Sequence, residues 1–90
     1  MNEPTLKALV EAGAIKKVQV VADATCFYVE VETPSGSSTA STKKGAVKTW
    51  ASLDAVAKWL RRMGIGTKIN LNISRWQPSQ RRITLWTQLN

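Results

Sequence analysis

The sharpest pattern in the chain lies between Cys26 and Glu32, where Phe27, Val29 and Val31 alternate with Tyr28, Glu30 and Glu32. A period of two sets one group against a core and the other in water, so the segment predicts a half-buried antiparallel strand. Ile15 to Ala22 is rich in valine and predicts the preceding strand, with Val18 and Val20 on one face and Ile15 and Val21 on the other. Asp23, Ala24 and Thr25 supply the turn that joins the two into a hairpin. Farther on, Ile69, Leu71 and Ile73 alternate with Lys68, Asn70, Asn72 and Ser74 and predict another strand with one dry and one wet face.

Two segments change the period from two to that of a helix. Leu53, Val56, Ala57, Leu60 and Met63 form one apolar stripe, with Lys58, Arg61 and Arg62 on the opposite side and Trp59 between the faces. Ser52 is placed to cap the first turn, Asp54 to complement the helix dipole, and Gly64 to end the helix after Met63. These signals predict a helix over residues 53–63. Near the start, Pro4 in a first turn, Leu6, Leu9 and Val10 at helical spacing, and Gly13 as a stop predict a helix of about eight residues, too short to stand unless it docks.

Between Thr33 and Trp50 the pattern is weaker. Residues 34–38 form a turn signal, Thr39 to Thr42 a short polar strand, residues 43–46 a reversal, and Val47 to Trp50 a return strand. The competing reading is a flexible Ser/Thr-rich linker; the hairpin is favoured because so few residues separate two strand-like segments. Trp76 to Ser79 is a break. Beyond it, Ile83, Leu85 and Leu89 continue as a strand or belong to a basic tail that orders on binding. The order predicts an α+β fold: an antiparallel sheet of three to five strands, one amphipathic helix on one face, and a short N-terminal helix. Residues 1–76 form the single domain and 77–90 its C-terminal strand or tail.

Composition narrows the chemistry. Ninety residues support one core and no large internal cavity. No apolar run is long enough to span a membrane and no secretory leader precedes the first element, so a soluble protein with no membrane partner is expected. A single Cys26 points to a reducing cytoplasm. There is no His, which removes the commonest general base and metal ligand, and no second Cys to complete a zinc site. Glu30 and Glu32 read as a solvated strand face, Cys26 as a strand hydrophobe, and Gly64-Ile65-Gly66 as a helix stop rather than a dinucleotide loop. No catalytic residue, cofactor or metal is expected, and the protein is read as no enzyme.

Charge carries the functional signal. Up to Thr42, Lys7, Lys16 and Lys17 face Glu3, Glu11, Asp23, Glu30 and Glu32, a balance of −2; from Lys43 on, ten cations face only Asp54, a balance of +9. All four Trp lie in the basic half, and the pI is near 10.1. Such a distribution points to a polyanionic partner. The expected nucleic-acid contacts are Lys43, Lys44, Lys48, Lys58, Arg61, Arg62, Arg75, Trp76, Arg81 and Arg82. No cluster of Arg, Asn and Gln sits on one element, so phosphate neutralisation with little base readout is the expected mode.

Three stretches, VKTWASLDAVAKWLRRMGI over 47–65, LKALVEAGAI over 6–15 and FYVEV over 27–31, together resemble the small ParC-type partition-associated proteins of bacterial plasmids. The resemblance spans most of residues 6–76 and rests on spaced hydrophobics and glycines. It implies a cytoplasmic bacterial accessory protein and brings no active site with it. A weaker similarity, on Thr49-Trp50-Ala51-Ser52, is to integrase arm-binding domains, which lay a three-stranded sheet in a DNA major groove. Glu30 and Glu32 would repel phosphate from such a face, which moves the expected contact to the Lys43/Lys44 hairpin and the basic tail. The expected function is binding of DNA, or of a DNA-bound protein, through a basic surface. The alternative is a protein-interaction module, possible as a homodimer, with no direct nucleic-acid contact.

Overall fold

The computed structural model describes residues 1–66 and 68–77. Its elements are α1 (Glu3–Glu11), β1 (Lys17–Ala24), β2 (Cys26–Thr33), β3 (Gly36–Thr39), α2 (Leu53–Arg62) and β4 (Asn70–Trp76). They form an α+β domain whose four-stranded sheet has the order β3-β2-β1-β4. Among the described residues no helix is long and apolar enough to cross a membrane.

The β1–β2 hairpin follows the expected alternation. Val18 pairs with Val31, Val20 with Val29, and Ala22 with Phe27, and all six are buried in one cluster. The opposite face carries Lys17 against Glu32, Gln19 against Glu30, and Val21 against Tyr28. Ile15, expected on that second face, precedes the strand and packs against the core. Val21 is buried although it lies outside the main cluster, flanked by Tyr28 and by Asn72 of β4.

The turn after β2 is shorter than the sequence suggests. Thr33 and Gly36 already pair, and the buried Thr33 hydroxyl donates to the Gly36 carbonyl at 3.0 Å, so β3 starts at Gly36 and pairs along Glu30 to Thr33. The following reversal survives as single bridges rather than a full hairpin: Ser41 pairs with Val47, and Phe27 with Trp50. Thr42 N–H donates to the Ala46 carbonyl and Gly45 N–H to that of Thr42, with Gly45 at φ 90°, which puts Lys43 and Lys44 at the tip.

β4 overturns the expectation of a purely antiparallel sheet. It pairs parallel with β1, Gln19 to Asn70 and Val20 to Leu71, with an irregularity before the Asp23–Arg75 pair. The reason is topological. β3 runs parallel to β1, and α2 carries the chain back across the sheet face, so the strand after it points the same way as the strand before it. Standing at the sheet edge among the described residues, β4 also lacks the dry face its alternation predicts: Leu71 and Ile73 are 46% and 52% exposed. Trp76 ends β4 instead of starting a break, with its ring centroid 6.5 Å from that of Phe27. Of the expected tail, only Gln77 lies within the described residues, and its N–H donates to Ala24.

Both helices cover one sheet face. Asn2 caps α1 by accepting from Thr5 N–H, and Ser52 caps α2 by accepting from Ala55 N–H. Leu6 of α1 and Val56, Trp59, Leu60 and Met63 around α2 enter the same cluster as the sheet valines. The buried stripe of α2 is therefore rotated from the one read in sequence: Leu53 and Ala57 are exposed, and Trp59 is 3% exposed because α1 shields that flank. Gly64 ends α2 at φ +94°, and a Cβ there would lie 3.3 Å from Val10 Cγ1. Gly64→Ala is expected to cost about 2 kcal/mol through left-handed strain and this close contact, read as a lower urea midpoint with an unchanged m-value.

Candidate functional site

The two helices and the 41–48 turn enclose a cleft of about 630 Å³ lined by Glu3, Pro4, Lys7, Ser41, Thr42, Lys43, Lys48, Arg62 and Met63. Its walls come from three separated segments. α1 brings Glu3 and Lys7, four residues apart and therefore on one helix face. The turn brings Lys43 and Lys48, anchored to the chain start by the Ser41 N–H bond to the Met1 carbonyl and to β3's end by the Lys48 N–H bond to Ala40. The last turn of α2 brings Arg62, where a cation also complements the helix dipole. Four cations thus line one cleft together with a single carboxylate.

The floor of the cleft is held by a chain of contacts between distant parts of the sequence. The Trp59 indole Nε1–H donates to Glu3 Oε1 at 2.7 Å, across 56 residues. Trp59 packs against Trp50 with ring centroids 4.9 Å apart, and Lys48 Nζ stands 5.4 Å above the Trp50 ring. Lys48 Nζ also lies 3.9 Å from Glu3 Oε1. The Glu3 carboxyl is held below its ordinary value, first by the indole hydrogen bond, against the opposing effect of partial burial, and then by Lys48, Arg62 and Lys43. A lowered carboxyl adds stability that is present above its unfolded pKa and is lost as pH falls through the folded value.

The expected contact residues separate into groups. Lys43, Lys48 and Arg62 converge in the cleft. Lys44 is exposed at the same tip, outside the cleft lining. Lys58 pairs with Asp54 at 3.2 Å, one turn away on α2. Arg61 lies along the other flank of α2, with Nη1 2.9 Å from where a Gly66 Cβ would stand. Arg75 is on the sheet, donating to Tyr28 Oη at 3.0 Å and standing 3.6 Å from Asp23, and Trp76 is beside Phe27. Arg81 and Arg82 lie outside the described residues.

Sequence reasoning missed Lys7 and Glu3. Counting charge by halves assigns Lys7 to the acidic portion, although its spacing from Glu3 was the signal that both share one face of α1. It also placed Trp59 between the two faces of its helix, whereas the docked α1 covers the ring and gives its N–H a carboxylate. Among the described residues Lys7, Lys43 and Arg62 have no carboxylate within 4.0 Å, and no group of three or more His, Cys, Asp or Glu stands together as metal ligands. Compared with protein-family models, curated proteins and solved structures, the chain matches none.

Proposed function

We propose that the protein is a non-enzymatic accessory protein that binds DNA, or a DNA-bound assembly, by neutralising backbone phosphates at the cleft between α1, α2 and the 41–48 turn. The observation that carries this reading is that Lys7, Lys43, Lys48 and Arg62, from three distant segments, line one cleft that holds a single carboxylate. Cations gathered on one side hold successive phosphates and release their counterions, which gives affinity without base selectivity. A role beside plasmid partition, in a bacterial cytoplasm, is the setting that this reading and the ParC-type resemblance share.

Titration of labelled duplex at several salt concentrations tests it. The expected result is micromolar binding at low salt that weakens by about a hundredfold between 50 and 200 mM, as for roughly four neutralised phosphates. Binding that is absent at low salt, or indifferent to salt, overturns it.

A second reading is favoured by β4. Leu71, Ile73 and Trp76 are all more than two-fifths exposed on the strand that stands at the sheet edge among the described residues, and such an edge is a template for another chain. On this reading the partner is a protein or a second copy. A monomer in sedimentation at high concentration excludes the second copy.

A further inference from the structure

We propose that Glu3 is a specificity-determining residue of the cleft: a carboxylate pinned among its cations, it turns away small free anions and reserves the site for an extended polyanion. This rests on the phosphate-binding reading above and adds to it a basis for choosing between ligands. Three observations support it. Glu3 lines the same cleft as Lys7, Lys43, Lys48 and Arg62, so an ion small enough to enter meets a like charge among the cations. The carboxylate is fixed in place, because Trp59 Nε1 holds Oε1 at 2.7 Å and the indole is buried against Trp50. Lys48, 3.9 Å from Oε1, is already partly neutralised by it.

The consequences differ with ligand size. A single phosphate ion must sit close to Glu3 to reach several cations together, and the like charge opposes it. A duplex is too wide to enter and meets Lys7, Lys43 and Arg62 from outside, so its phosphates stay farther from the carboxylate and feel a screened repulsion. Raising the cost for the unwanted ligand while sparing the wanted one is how a repulsive group yields selectivity.

The test compares Glu3→Gln and Glu3→Asp with the unaltered chain. Gln keeps an oxygen for the Trp59 N–H and removes the charge, while Asp keeps the charge. Each protein is titrated with inorganic phosphate and, separately, with labelled duplex, following Trp fluorescence and anisotropy, and its fold is checked by thermal melting. Glu3→Gln is expected to bind inorganic phosphate about tenfold more tightly, the order expected from removing one nearby like charge, with less than a threefold gain for duplex. Glu3→Asp is expected to remain as poor a phosphate binder as the parent. Unchanged phosphate affinity in Glu3→Gln, an equal gain for both ligands, or a gain in Glu3→Asp overturns the proposal. Failure of the parent to bind duplex would instead remove the DNA reading, and the phosphate comparison would still decide whether Glu3 repels anions.

Discussion

Replacing Lys7, Lys43 and Arg62 together by Gln is expected to lower duplex affinity by one to two orders of magnitude at low salt. The same triple variant should flatten the plot of log affinity against log salt by about 2.7, since each lost phosphate contact removes about 0.9 from the slope. These three are chosen because among the described residues none is ion-paired, so their loss leaves no buried carboxylate behind. Lys48 is spared because it also stands over Trp50 and beside Glu3, and its removal would disturb the cleft floor. Lys58→Gln and Arg75→Gln serve as controls, each removing one charge as each cleft substitution does. Lys58 is engaged by Asp54 and Arg75 by Asp23 and Tyr28, away from the cleft, so each should alter affinity by less than about threefold. Equal losses in the controls and per residue in the triple variant would mean that net charge alone drives binding, and the cleft would lose its role. Reversing Arg81 and Arg82 in the same assay measures the share carried by the C-terminal segment.

Leu6→Ala is expected to produce the largest loss of stability, about 3 kcal/mol. Leu6 is fully buried within the cluster of sheet valines and is the buried anchor of α1. Truncating such a side chain removes transfer free energy and leaves a cavity, typically costing 2–5 kcal/mol. A chain of this size has about 5–13 kcal/mol in total, so a large part of the margin disappears. Urea unfolding should show a much lower midpoint with a similar slope. Because Leu6 seats α1, Glu3 should also release the Trp59 N–H, and Trp emission in the folded baseline should shift. A midpoint within experimental scatter of the parent would show that α1 docks without Leu6.

Elements whose signals are local were legible. Ser52 and Asn2 cap their helices within three residues, and the alternation from Phe27 to Val31 places its apolar residues in the core. Asn2 was nonetheless overlooked as a cap, with Pro4 taken as the first-turn signal. The direction of β4 was not legible, because a period of two is the same for a parallel and an antiparallel strand. Nor was its exposure: Leu71 and Ile73 alternate as in a half-buried strand, yet at the sheet edge among the described residues they are uncovered. For the site, the residue types were legible and their grouping was not. Of the cations expected to act together, Lys43, Lys48 and Arg62 meet, whereas Lys58, Arg61 and Arg75 are turned to other flanks.

The sequence alone determined the class of fold, the Ser52 cap of α2, the β1–β2 alternation and the excess of positive charge, because each depends on local pattern or on composition. Tertiary structure decided which cations share a cleft, that Lys7 of the acidic portion joins them, and that Glu3 lines it with them. Those groups are brought together across tens of residues by the docking of α1 against α2 and by the bridges of the 41–48 turn. Packing and chain reversal set such approaches, and no periodicity within a single segment encodes them.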